Sequence, residues 1–349
     1  MHDTANAMTD SDPRRLLKRL ADRTRRFDFT VWFWGDPIAF DGLLDAADLL
    51  DEPCFAGHAE TYLRRWCETG AISWVDINCP GYALARLYRR TGDTLYLTMA
   101  ERLADHLHNR VPRSLDPEGP IYQPDRMTHR NYIWVDTIYH LPSYFCYLAQ
   151  VTGNPRYYEH GLYALDTHVR CLLDGDTLLF PQGRDLASEM RRGVGWGRGM
   201  GWAYLGVIDT YALLPDAHPD RDRVRDLFLR LSPLILELQH FSGTWRNLIH
   251  DPESPLEAST AALLGAAFEK GGRLGLLGAD YADAAERAWR YVTHHVDGQG
   301  GFFNASACSW AAATPGDDSD LYKRFYTEVN VWGQGAAMRA AAERILAGK

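Results

Sequence analysis

The sequence predicts an all-α protein of about twelve helices closed into a double ring, six inner helices wrapped by six outer ones. Three observations carry that expectation. Apolar residues recur at the helical period along most of the 349 residues, and almost no stretch alternates as a strand does. The helices come as hairpins with Gly or Pro at the joints, and Gly92, Gly153, Pro215 and Gly278 fall about 62 residues apart. The first and last helices are amphipathic, whereas an open solenoid needs polar capping repeats at its ends.

Taken in order, Leu16–Arg26 is the first helix, and Ala39–Leu50 and Ala56–Glu68 flank Asp51-Glu52-Pro53. Cys79–Arg90 and Thr94–Asn109 flank Thr91-Gly92-Asp93; Leu84, Leu87 and Tyr88 mark the apolar face of one, and Leu95, Met99, Leu103 and Leu107 that of the next. Gly92 suits a helix end that needs positive φ, and Asp93 or Thr94 can cap the following helix. Ile133–Val151 and Arg156–Leu172 repeat the format around Gly153, with Pro155 near a helix start. Met200–Leu214 and Arg221–Gln239 flank Pro215, Thr260–Leu277 and Tyr281–His295 flank Gly278, and Gly333–Leu346 closes the series. No linker or charge run divides the chain. One domain over 1–349 is expected, with a flexible polar N-terminus at about 1–12.

Composition narrows the function classes. The net charge is −9 and no cluster of Lys and Arg stands among aromatics, which argues against nucleic acid and anionic membranes as partners. The six cysteines form no Cys-x-x-Cys pair, and most sit in apolar helical contexts that read as buried free thiols of a reducing compartment. Residues 1–26 lack an apolar core and a cleavage site, so a cytoplasmic protein is expected, monomeric or weakly dimeric. His106, His108, His294 and His295 read as solvated residues of outer helices, and no Cys/His set has metal spacing. Neither a metal nor a cofactor is expected.

In a double ring, the loops before the inner helices gather at one rim. Five such segments combine Trp, Gly, Asp, Asn, His and Arg: Trp32–Asp36, Trp74–Gly81, Met127–Asp136, Trp196–Trp202 and Phe325–Gly333. Asp76 reads equally as an N-cap for the helix at Pro80. Asp136, just inside an apolar helix beginning near Trp134, has no hydrophobic reason to be there; it is a cap or an inward carboxylate. The glycines of 197–201 follow no strand, so a dinucleotide loop is disfavoured. Two inward carboxylates in an aromatic-lined cavity are what acid/base work on a sugar requires, one holding its proton and the other not.

These residues carry a family resemblance. The series Asp76…Pro80-Gly81, Leu87-Tyr88-x-x-Thr91-Gly92-Asp93, Trp134-Val135-Asp136, Thr152-Gly153-Asn154-x-x-Tyr157-Tyr158 and Trp196-Gly197-Arg198-Gly199-x-Gly201-Trp202 resembles the unsaturated glucuronyl and rhamnogalacturonyl hydrolases, glycoside hydrolase families 88 and 105. The resemblance implies an (α/α)6 barrel that takes oligosaccharides ending in a 4,5-unsaturated uronic acid and hydrates the C4=C5 vinyl ether. It implies that Asp136 protonates C4 and then assists water at C5, and that Asp76 positions substrate or shares in proton handling. Trp34, Asn78, His129, Arg130, Trp134, Gln182, Trp196, Arg198, Trp202 and Trp332 would bind the sugar, with Arg198 near its carboxylate through a bidentate fork. Two departures bear on the substrate. Phe180-Pro181-Gln182-Gly183 stands where family 105 commonly has His-Gly-Trp, and Thr137-Ile138-Tyr139-His140 replaces the usual Gly-Leu-Tyr-Met.

Rival readings are another carbohydrate enzyme on the same toroid, such as an inverting glycosidase or an epimerase using His129 and His140, and a carbohydrate-binding scaffold. The lack of metal-ligand spacing makes one prediction: activity on lyase-generated oligosaccharides survives exhaustive chelation. Loss on chelation that one divalent ion restores would show that the histidines have been misread.

Overall fold

The computed structural model describes residues 11–31, 33–72, 76–114, 119–122, 131–307 and 319–349. Its outer helices are α1 (Pro13–Thr24), α3 (Pro53–Thr69), α5 (Thr94–Asn109), α7 (Arg156–Leu172), α9 (Arg221–Glu237) and α11 (Ala279–His294). The inner helices are α2 (Asp36–Leu50), α4 (Gly81–Thr91), α6 (Thr137–Thr152), α8 (Gly197–Leu213), α10 (Ala258–Arg273) and α13 (Val331–Leu346); α12 (Ser319–Lys323) is one short turn. Each inner helix packs on the next, and α13 packs back on α2, so the ring closes. The chain is an (α/α)6 toroid.

Sequence pattern explains which helix lies where. The outer helix α1 buries only a stripe, Leu16, Leu17, Leu20, Ala21 and Thr24, as an amphipathic helix on a core does. The inner helix α8 is buried from Gly197 through Tyr211, because it meets neighbours on every side. Helix ends follow local chemistry. Gly92 takes φ of 71° to end α4, and the Asp93 carboxylate accepts from the Leu95 amide at 2.9 Å to start α5.

Two expectations need correction. Helix α6 does not begin near Trp134. Tyr132–Trp134 forms strand β1, pairing with β2 (Gly183–Asp185), which pairs with β3 (Arg191–Arg192). Aromatic and β-branched residues suit a pleated surface, and this segment finds strand partners about fifty residues away. Two further ribbons, β4 (Trp245–Arg246) with β5 (Leu256–Glu257) and β6 (Ala305–Ser306) with β7 (Thr327–Glu328), stand before α10 and α13. Nor is His108 solvated. It stacks on His160 at 3.5 Å, and burial, then the His160 charge, pull its pKa down to about 4. The five described cysteines are free, and no helix among the described residues is long and apolar enough to cross a membrane.

The ring axis is filled by charge rather than by apolar side chains alone. Arg339 of α13 donates to Asp45 of α2 at 2.7 Å and to Asp209 of α8 at 3.4 Å. Lys270 of α10 pairs with Asp209, and lies 3.6 Å from Glu343 of α13. Arg86 of α4 donates to Asp45 at 2.8 Å, and the Tyr139 hydroxyl of α6 donates to Asp41 of α2 at 3.3 Å. All six inner helices therefore contribute to one buried network.

Removing one partner from such a network strands its counter-charges away from water. Arg339→Ala should cost about 3–5 kcal/mol of unfolding free energy, measured by chemical denaturation. A loss below about 1 kcal/mol would mean the network does not hold the ring.

Candidate active site

The starts of the inner helices meet at one end of the ring. The Asp76 carboxylate, just before α4, accepts from the Asn78 amide at 2.8 Å. Asn78 accepts in turn from the Thr137 hydroxyl at the start of α6, at 3.0 Å, so two inner helices are tied at their first residues. Trp34 before α2 lies against Trp332 in the first turn of α13, ring centres 4.8 Å apart.

Asp136 occupies the N-cap position of α6, yet its side chain makes no capping hydrogen bond. The cap reading of this residue therefore fails, and the carboxyl is left for other work. Its backbone carbonyl accepts from Tyr139 and His140, and the Val135 amide donates to the Gln182 carbonyl at 3.0 Å, which fix the side chain's origin. The side chain is buried, and Oδ2 has no hydrogen-bond partner among the described residues. Burial pushes its pKa up to about 7; the Arg198 guanidinium opposes that rise and the Asp76 charge adds to it. The site thus contains a carboxyl that keeps its proton near neutral pH, beside a second carboxylate.

Arg198 is the structural centre of the opposite side. Only 1% of it is exposed. Nη1 donates to the Ser306 carbonyl at 2.9 Å and also to the Ser306 hydroxyl, while Nη2 donates to the Ala307 carbonyl at 3.3 Å. Its guanidinium carbon lies 4.6 Å from the ring centre of Trp196, 6.0 Å from that of Trp34 and 5.9 Å from that of Trp332. Glu257 lies 3.8 Å from Nη1. These bonds tie Nη1 and Nη2 to residues 306 and 307, so Arg198 anchors β6 while its charge acts on the site.

Glu257 is the residue that the sequence reading missed. Fully buried, it accepts from the amides of Thr260 and Ser306, each at 2.7 Å, and from the hydroxyls of Ser259 and Thr260. It caps α10, and the segment before it, Thr244-Trp245-Arg246-Asn247, has the same composition as the five recognised segments. An acidic residue followed by Ser and Thr at positions two and three was the available signal.

The other candidates divide. Trp34 and Trp134 are partly exposed, while Trp196 and Trp332 are nearly buried and flank Arg198. Trp202 is fully buried against Tyr139 and His140, with ring centres at 5.1 and 5.7 Å, and forms the floor rather than a stacking platform. Gln182 accepts from the Tyr322 hydroxyl, and its backbone joins β1 to β3. His140 is buried one turn beyond Asp136, and burial pulls its pKa down to about 3, so it remains neutral and is a weak base, a poor fit to the epimerase reading. His129 and Arg130, with Trp32 and Trp74, lie outside the described residues.

A family model described as Glycosyl Hydrolase Family 88 matches residues 8–347. The chain belongs to that family. It is 27% identical over 341 residues to the unsaturated rhamnogalacturonyl hydrolase YesR of Bacillus subtilis, covering 94% of this chain and 93% of that protein. It superposes on a possible family 105 member from Salmonella enterica with a TM-score of 0.86 at 20% identity, over 99% and 96% of the two chains. It also superposes on the unsaturated glucuronyl hydrolase of Bacillus sp. GL1, with a TM-score of 0.68 at 15% identity, over 95% of each. The two structural likenesses establish the shared toroid.

In this family 88 site, a raised carboxyl pKa has a consequence for stability. Between the ordinary aspartate value of 3.8 and about 7, the folded chain keeps a proton at Asp136 that the unfolded chain releases. Stability therefore falls as pH rises through that window. Asp136→Asn removes the penalty: its melting temperature should match wild type near pH 4 and exceed it above pH 7, where its unfolding free energy should be larger by on the order of a few kcal/mol. Equal melting at pH 8 would reject a buried, protonated Asp136.

Proposed function

We propose that this glycoside hydrolase releases a terminal 4,5-unsaturated uronic acid from oligosaccharides, with Asp136 as its proton donor. The observation that carries the reading is a buried carboxyl, spent on no cap and protonated near neutral pH, at the rim of a family 88 ring. The names of the relatives support the substrate class: one acts as an unsaturated rhamnogalacturonyl hydrolase and another as an unsaturated glucuronyl hydrolase.

The chemistry follows from the double bond. C4=C5 is a vinyl ether, so a proton added to C4 leaves a cation at C5 that the ring oxygen shares. Asp136 gives that proton and becomes a carboxylate. Water then adds to C5 and returns its proton to Asp136, which restores the acid. The C5 hemiketal opens to a ketone, leaving C1 as a hemiacetal that collapses to an aldehyde and frees the next sugar. One water is consumed in total. Asp76, held by the Asn78 amide, orients the substrate and keeps the proton of Asp136 in place by its charge. Trp34 and Trp332 offer ring faces at the rim.

Loss of the ultraviolet absorbance of the conjugated double bond reports turnover directly. Asp136→Asn should lower kcat by roughly 10²–10⁴-fold while remaining folded. Asp76→Asn should lose less, and wild-type kcat/KM should fall above about pH 7 as Asp136 loses its proton. Near wild-type turnover by folded Asp136→Asn would reject the role of Asp136. Wild-type protein that leaves every unsaturated uronoside intact would reject the reaction.

A further inference from the structure

The sheet before Asp136 carries a second buried arginine whose situation is the reverse of that of Arg198. Arg192, in β3, is 6% exposed, and its Nε and Nη1 have no hydrogen-bond partner among the described residues. No carboxylate among the described residues pairs with it. A buried guanidinium without an anion is costly, because it has left water and received nothing in return. Folding alone does not account for its retention.

Register places it beside the site. Trp134 stands opposite Gly183, and Gly183 opposite Arg192, so Trp134 and Arg192 share one face of the sheet with Tyr132. Gly183, between them, has no side chain, and a Cβ there would come within 2.5 Å of the Tyr132 ring. The Tyr132 hydroxyl is also buried without a partner, and its rings lie 4.4 Å from those of Trp134. Burial pushes the Tyr132 phenol up, and the Arg192 charge is what opposes that rise, so the two groups act on one another. Two residues past Trp134 the chain reaches Asp136.

We infer that Arg192 and Tyr132 form an oxyanion subsite that reads a carboxylate or sulfate ester on the oligosaccharide. A guanidinium and a phenol donor match two oxygens of such a group, and Nε, Nη1 and the phenol have no other partner among the described residues. The inference rests on the proposed function for its substrate class. Arg192 is a specificity residue in this reading, and the proton remains with Asp136. The anion comes from the unsaturated uronate itself or from the sugar that follows it.

Arg192→Gln and Arg192→Lys, assayed with two compounds, separate these sources. One is the methyl glycoside of the unsaturated uronic acid, which has a single charge. The other is an unsaturated disaccharide whose second sugar carries a carboxylate or sulfate ester. Arg192→Gln should raise KM about 10- to 100-fold with kcat little changed, and Arg192→Lys should recover part of the loss. A loss on both compounds assigns the uronate carboxylate, whereas a loss on the second alone assigns the following sugar. Melting temperatures at or above wild type are expected for Arg192→Gln, since an unpaired buried charge is removed. Unchanged KM on both compounds overturns the subsite, as does a kcat loss with a shifted pH profile that Arg192→Lys does not relieve. If wild type hydrates neither compound, calorimetric titration with the same two replaces the kinetics. Affinity that depends on Arg192 would then leave the subsite standing and the proposed reaction fallen, and affinity independent of Arg192 would overturn the subsite.

Discussion

A ring of six helices has to fill its own axis, and this one fills it with a polar network to which every inner helix contributes. Arg339, Asp45, Asp209, Lys270, Arg86, Glu343, Asp41 and Tyr139 come from α2, α4, α6, α8, α10 and α13. Apolar side chains could fill the same volume, but they would tolerate sliding. Paired charges do not, because a shift of one helix along its axis leaves a buried ion without its partner. The network thus fixes the relative height of all six helices.

That height decides where the rim residues meet. Tyr139 makes the connection. Its hydroxyl reaches Asp41 in the axial network, its ring packs on Trp202 and His140, and its amide bonds to the Asp136 carbonyl. One turn of α6 therefore separates the fold's anchor from its reactive carboxyl. The inner helices all present their starts to the same end, so their dipoles give that end a positive bias suited to an acidic sugar.

Much of this was legible in the sequence because it depends on neighbours along the chain. Thr94–Asn109 and Arg156–Leu172 are helices over the very ranges expected, since turn residues and apolar period define both ends. Asp136 stood out as a charge where the pattern calls for an apolar residue. What could not be read depends on distant partners. Tyr132–Trp134 looks like the start of a helix until Gly183–Asp185 pairs with it. Nothing near Arg198 in the chain announces that Ser306, 108 residues later, takes its Nη1. Trp202 and Trp34 sit in similar local sequence, yet one is floor and the other is wall, because burial is set by the ring and not by the segment.

The placement of Glu257 bears on how one acid can serve both halves of a hydration. Such a group must give a proton to carbon and later accept one from water, and it does both best when its pKa lies near the working pH. Burial alone would hold Asp136 too firmly protonated to be a good donor, and a bare guanidinium nearby would hold it too firmly ionised to keep its proton. Here the cation next to the acid is Arg198, and Glu257 stands 3.8 Å from it on the side that β6 and α10 share. Glu257 is itself held by the amides of Thr260 and Ser306, so it cannot turn toward Asp136 and compete for the proton. Its negative charge stays beside Arg198 instead. The same pair also ties α8 to β6, so the cation that opposes the effect of burial on the acid is part of the frame that holds it in place.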